Sequence, residues 1–369
     1  MLFASLVAAF FNLHPQLTKH LTGFNILWAQ LLSVTTFTLT FFLNTSYTLW
    51  RTCYQHSRRL QGRLNDLGLL LASHSSREIP SNSTAADPLP ATYSPAARQL
   101  LTLVGRYVRV FNLLVYASFT RSHRPLLTPR GMRRLVDRGL LTASERRALV
   151  EADVPATQRH NSLLLWVTRL VVEGRRAGHL VGGAGFEMAV LDKIHVIRCQ
   201  YGAIGDALAG RMPLAYAHIV QVLVDVVLWL YPLMAFPSGM GAFLGVIGTG
   251  LLTMFYQGLF DLAKQFLDPY DNENYGQGDD PLCVDTLVAE TNAGSVRWMN
   301  GFEEQPWEEE KVARGELEDV LLPRKGYSPA FLQQKAEEEA LRAAEAAAAK
   351  PAGGAGGVLE AGRGRFGSC

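Results

Sequence analysis

Two stretches of this chain contain no Asp, Glu, Lys or Arg: Leu21 to Trp50 and Val226 to Phe260. A helix needs about 20 apolar residues to cross roughly 30 Å of hydrocarbon, and both runs exceed that. The second run belongs to two segments. Met212 to Phe236 is one, Pro237-Ser238-Gly239 breaks the pattern, and Ala242 to Phe260 resumes it, which predicts a tight helical hairpin inside the bilayer. Leu100 to Phe119 is a further apolar run, interrupted by Arg106 and Arg109. One such run can be the core helix of a soluble protein; three cannot. The pattern predicts an all-α integral membrane protein whose surroundings include a lipid bilayer. Only 18% of the 369 residues are charged, against about 25% in soluble domains.

The remaining segments are organised differently. Ser73 to Pro95 is rich in Ser, Thr and Pro without hydrophobic period and reads as a loop. Its Asn82-Ser83-Thr84 matches a glycosylation sequon, a pattern of low specificity. Thr128 to Val150 reads as two short amphipathic helices, the second opened by the capping box Thr142-Ala-Ser-Glu145. Membrane segments on both sides, and a net charge of +2, argue against a helix-turn-helix and against any nucleic-acid partner. Ser162 to Ala177 and Glu187 to Ala203 continue the helical period. From residue 330 an Ala/Glu-rich helix gives way to a Gly-rich tail that is expected to be disordered.

Charge is segregated. Arg121 to Leu180 holds twelve Arg against five acids, and Asp261 to Val320 holds sixteen acids against four bases. The two segments either pack against each other, within or between subunits, or form solvated faces of opposite sign. Cys53, Cys199, Cys283 and Cys369 have neither CxxC spacing nor a paired framework, so buried thiols are expected rather than a disulfide or zinc scaffold. No GxSxG, HExxH, Walker or dinucleotide motif occurs, and nothing points to an enzyme. His218 and Asp225 lie seven residues apart on one expected membrane helix. An ionisable residue there marks either an ion path or an interhelical contact.

Four local patterns occur in register between Phe24 and Asn300. They are Asn44-Thr-Ser-Tyr47-Thr-Leu-Trp50, Gly139-Leu-Leu-Thr-Ala-Ser-Glu-Arg146, Arg211-Met-Pro-Leu-Ala-Tyr216 and Gly258-Leu-Phe-Asp-Leu-Ala-Lys-Gln-Phe-Leu-Asp-Pro-Tyr270. Together they resemble the N-x-S-Y-x-x-W signature, a cytosolic helix-turn, the P-L-x-Y opening of the third membrane helix and the final P-[FY] run of bestrophin-type anion channels. The resemblance implies a homopentameric ring of helical bundles with a central pore for chloride or bicarbonate. It implies membrane helices, a cytosolic (or stromal) helical region and no required cofactor. On this reading, residues 1–23 are a truncated remnant of the first membrane helix and 24–50 line the pore. Residues 51–99 are a cytosolic helix and loop, 100–211 a helical cytosolic region and 212–260 the membrane hairpin. An acidic segment, 261–329, and the tail, 330–369, complete the chain. Met1 to Leu13 is too short to span a bilayer, so the chain is read as beginning inside that first helix, any targeting peptide being lost with it.

Ser33, Phe37 and Phe41 recur every four residues and share one helical face, with Thr36 and Thr40 beside it and Asn44 one turn on. Five such faces would stack rings of Phe, whose positive edges meet anions without a buried cation and whose apolar surface gates by dewetting. Ordinary helix packing is the alternative. By resemblance, Arg211 and Met212 fall at a cytosolic aperture. Animal bestrophins clasp calcium with consecutive acids after the final P-F; here Asp268, Asp271, Asn272, Glu273 and Asn274 offer a more dilute set of hard oxygen donors. That dilution resembles the plant and algal branch, which implies a chloroplast thylakoid membrane, the cell membrane being the alternative. A membrane scaffold and a secondary transporter are the competing functions; no internal repeat of the kind transporters carry is present.

Overall fold

The computed structural model of the chain describes residues 2–82, 91–273, 282–301 and 303, with 336–337 and 340–342 beyond them. The chain divides into two units, Met1–Pro306 and Trp307–Cys369. In the second, the described residues are helical. The rest of the expected tail, sequon residues 83 and 84, and Asn274 lie outside the described residues.

Apart from a two-residue antiparallel ladder, β1 (Arg77–Glu78) with β2 (Thr92–Tyr93), the described part of the first unit is helical. That ladder lies inside the segment expected to be loop. α1 is Leu2–Leu13, 12 residues, about 18 Å at ~1.5 Å per residue, too short to span hydrocarbon. α2 runs unbroken from Phe24 to Ser73, 50 residues. At ~1.5 Å per residue that is about 75 Å, so the helix must leave the bilayer and continue beyond it. It begins after Gly23, whose φ of 85° belongs to the left-handed region that glycine adopts freely. Its buried residues, from Thr35, Leu39, Phe42 and Ser46 to Leu60, Leu64, Leu67 and Leu71, recur at three and four. One face is therefore covered along nearly the whole helix.

The second half of α2 packs with α3 (Pro95–Phe119), α4 (Pro129–Asp137), α5 (Ala143–Glu151), α6 (His160–Arg176) and α7 (Ala184–Ala209) around one large core. The first half packs with α8 (Leu214–Ala235) and α9 (Ala242–Leu267) around Leu39, Phe42, Val220, Val224 and Phe260. α10 (Val284–Gly301) lies against α2 and α3. The α8–α9 turn carries Gly239 at φ 85°. A Cβ on Gly248 would lie 2.5 Å from the Tyr231 hydroxyl, so a larger residue there would have to displace the end of that ring.

Among the described residues four helices, α2, α3, α8 and α9, are long and apolar enough to cross a membrane. α3 differs from the rest: 61% of its apolar window is buried within the protein, against 17–28% for the other three. Its Arg106 makes a two-pronged ion pair with Glu145, Nη1 and Nη2 to Oε2 and Oε1 at 2.7 and 2.6 Å. The run from Leu100 to Phe119 is therefore the core helix of the α3–α7 body, and its arginine marks a partner on α5.

The expected capping box is present, with Thr142 Oγ1 accepting from the Glu145 N–H and Glu145 accepting from the Thr142 N–H. Two expectations need correction. Cys53 is buried, but Cys199 and Cys283 are exposed, because each falls on an outward-facing position rather than in a core stripe. Among the described residues within this chain, the acidic segment pairs mainly with cations outside the basic one: Arg58 with Glu290, Arg98 with Glu303 and Arg211 with Glu273. From the basic segment, His123 meets Asp285 at 3.1 Å and Arg124 donates to Asn272. α2 and α3 pack on α10, which brings Arg58 to Glu290 and Arg98 to Glu303 just beyond its end.

Candidate functional site

The two faces of α2 differ sharply between residues 33 and 44. Phe42 is fully buried, its ring 5.9 Å from Phe260 and 6.0 Å from Tyr216. Phe37 is 76% exposed and Phe41 51% exposed. Ser33, Thr40 and Asn44 are exposed too. At about 100° per residue, Ser33, Phe37, Phe41 and Asn44 fall within a stripe roughly 80° wide, opposite the buried face. The Phe41 ring meets Tyr216 edge-on at 6.1 Å, so this chain itself steadies one side of the stripe.

The polar residues divide. Ser33 Oγ donates to the Ala29 carbonyl at 3.0 Å. Thr36 lies about 100° from Phe37 and turns toward α9, donating to the Leu32 carbonyl at 2.8 Å and lying 2.7 Å from the Tyr256 hydroxyl. Its hydroxyl thus joins α2 to α9. Thr40 and Asn44 lie nearer the Phe stripe.

Next along α2, aromatic rings form a continuous stack that joins Tyr47 and Trp50 of the first motif to Tyr54 and to Phe266 of the last. Tyr47 stacks on Trp50 at 5.9 Å, Trp50 on Tyr54 at 5.6 Å, and both Tyr47 and Trp50 touch Phe266 of α9. Tyr270, at the end of the last motif, is fully buried. Its hydroxyl lies 2.7 Å from Ser57 Oγ and donates to the Cys53 carbonyl at 3.3 Å, which fastens the chain after α9 to α2. The spacing of these motifs is thus the spacing needed for α2 and α9 to lock together.

Arg211 and Met212 precede α8. Met212 packs on the Leu39–Phe42 core. Arg211 pairs with Glu273 at 2.9 Å, so Arg211 and the acidic loop come together, a contact 62 positions apart in the chain. Asp268 is buried and accepts from the backbone N–H groups of Asn272 and Glu273 at 2.9 and 2.6 Å. Asp271 holds a positive φ of 47° at this turn. Asn272 accepts from Arg124. Among the described residues no group of three or more His, Cys, Asp or Glu is gathered in a way that suits a metal ion. Arg211 and Arg124 thus already occupy Glu273 Oε1 and Asn272 Oδ1.

No family model and no curated protein matches the sequence. The fold does match solved structures. A crystal structure of a bacterial bestrophin homologue from Klebsiella pneumoniae aligns with a TM-score of 0.59 at 16% identity, covering 83% of this chain and 98% of that one. This is the bestrophin fold. Point variants of the same homologue align at TM-scores of 0.57, one with 16% identity over 81% of this chain and 97% of its own, another with 15% identity over 80% and 96%. With its long apolar helices, the chain is an integral membrane protein carrying the bestrophin fold.

Proposed function

We propose that five copies of this chain close a ring around an axis lined by α2, and that the ring is an anion channel for chloride or bicarbonate. The observation that carries this reading is the exposed stripe of Phe37 and Phe41 on the side of α2 that its own chain leaves uncovered. A single stripe encloses no path, so conduction requires copies that face one another. A closed ring in which each copy offers two different surfaces satisfies that need without leaving an open edge. In such a ring the Phe edges carry partial positive charge toward the axis and the apolar rings form a constriction that water leaves readily. The number five comes from the bestrophin resemblance.

Purified protein in a planar bilayer should pass anions selectively, and protein without anion current would overturn the channel reading. In detergent its mass should come near five times 40.7 kDa plus the micelle. High salt should loosen the ring only partly, because buried helix contacts are not screened as surface charges are. A monodisperse monomer that still carried anion flux would overturn the ring.

The engaged donors of the acidic loop lead to a further expectation. Micromolar calcium should leave the current unchanged. A calcium-dependent current that D271N/E273Q abolishes would instead make the loop a calcium site. A thylakoid location rests on the dilute acidic stretch alone, and fractionation of the native membrane tests it.

A further inference from the structure

Asp225 stands at the midpoint of α8, whose 22 residues make a single bilayer span. Its carboxylate is half-buried, and both oxygens accept from the Gln221 amide one turn earlier at 3.0 Å. Gln221 is neutral, and no Lys, Arg or His among the described residues pairs with Asp225. A carboxylate at that depth is costly and calls for a positive partner.

The carboxylate lines an open cleft of about 230 Å³ between α1, α8 and α9. Its polar lining on α9 offers oxygen acceptors. Thr249 Oγ1 donates to the Gly245 carbonyl and Thr253 Oγ1 to the Thr249 carbonyl, each at 2.8 Å. Both hydroxyl protons are thus engaged by α9 itself, and what the two residues offer the cleft is lone pairs. Gln257 donates one amide N–H to Asp261 at 3.1 Å, and its carbonyl oxygen adds an acceptor. Phe3 and Trp229 form one side of the cleft, with ring centroids 4.6 Å apart. Oxygen acceptors, one negative charge and two aromatic rings together favour a cation that carries N–H donors and some apolar surface. A metal ion fits poorly, because hard cations take six or more oxygen ligands and no aromatic wall.

We propose that this cleft is a binding site for a small primary organic ammonium ion, its three N–H groups on Asp225, Thr253 and Gln257 and its apolar part against Phe3 and Trp229. Bound there, the ion neutralises Asp225 and ties α1 to the α8–α9 hairpin. The site lies off α2 and does not depend on the channel reading.

Full-length protein in lipid nanodiscs, titrated with benzylammonium chloride and followed by saturation-transfer NMR, tests the proposal, with benzyl alcohol as the uncharged probe of similar size. Saturable binding of the ammonium and none of the alcohol is expected. Asp225→Asn should weaken the affinity about tenfold or more, as loss of a desolvated charge pair does. Trp229→Leu should weaken it severalfold and Trp229→Phe should largely preserve it, since a ring face remains. Equal uptake of both probes, or an affinity unchanged in Asp225→Asn, would identify simple partitioning into lipid and overturn the site, as would absence of binding. If Asp225→Asn does not purify as the parent does, Thr253→Val serves instead. It removes an acceptor and a hydroxyl whose only described bond is to its own helix, so unchanged affinity in that variant also overturns the proposal.

Discussion

Replacing Phe37 and Phe41 together with alanine is expected to raise anion flux through the reconstituted protein by about tenfold, the effect of lowering a barrier by roughly 1.4 kcal/mol. Truncating two stacked rings widens the constriction and lets water remain in it, so any stimulus that opens the pore should also matter less. The folding cost is small at Phe37, which makes few contacts in its own chain, and moderate at Phe41, which loses Tyr216. The adjacent Phe42 supplies the control. It is fully buried between Tyr216 and Phe260, and Phe42→Ala should cost about 3–5 kcal/mol and deplete the folded protein. Flux measured per folded protein should therefore separate the two faces of one helix. Unchanged flux in the Phe37/Phe41 variant at full expression would return the stripe to contact with lipid.

The second large effect concerns acid. Burial alone would raise the Glu145 carboxyl. Hydrogen bonds from Arg106, Tyr107 and the Thr142 N–H outweigh it and hold the group at about 2, below the ordinary 4.5. Its stabilising contribution is fully present above about pH 4.5 and is lost as pH falls through 2. His160 acts at higher pH. Burial against Phe111 and Tyr201 pushes its imidazole from 6.5 down to about 4, against a smaller opposing pull from the Thr157 backbone. The unfolded chain takes up that proton first, so stability falls as pH drops from 6.5 toward 4. Each contribution is worth up to about 3 kcal/mol, at about 1.36 kcal/mol per pKa unit. Thermal melts between pH 7 and 3 should therefore decline in two legs. His160→Gln should flatten the upper leg. Glu145→Gln should flatten the lower one and destabilise the α3–α5 contact at neutral pH, where Arg106 is left with no carboxylate opposite it. A melting temperature independent of pH across this range would show that neither group is held as described.

Some of this protein follows from its sequence alone. The charge-free runs dictate membrane helices, because within hydrocarbon each backbone N–H and C=O must be satisfied inside its own segment. The capping box dictates where α5 begins, since its two hydrogen bonds join residues three apart. The spacing of Ser33, Phe37 and Phe41 places them on one face whatever else the chain does. These are short-range consequences of backbone geometry, and the ordered motifs made the bestrophin fold legible even though overall identity to the solved structures is 16% or less.

Tertiary structure alone decided which side chains distant in sequence would meet. Nothing local tells Arg106 that Glu145 will lie opposite it, and without that partner α3 reads as a membrane span. Phe41 and Phe42 are adjacent and chemically identical, yet α8 and α9 cover one far more than the other. Thr36 meets Tyr256, Arg211 meets Glu273, and Asp225 acquires Thr249, Thr253 and Phe3 as neighbours, each across a long stretch of chain. A helix presents residues on every side, and only packing against other helices determines which become core, which form a cleft and which remain open to a second copy.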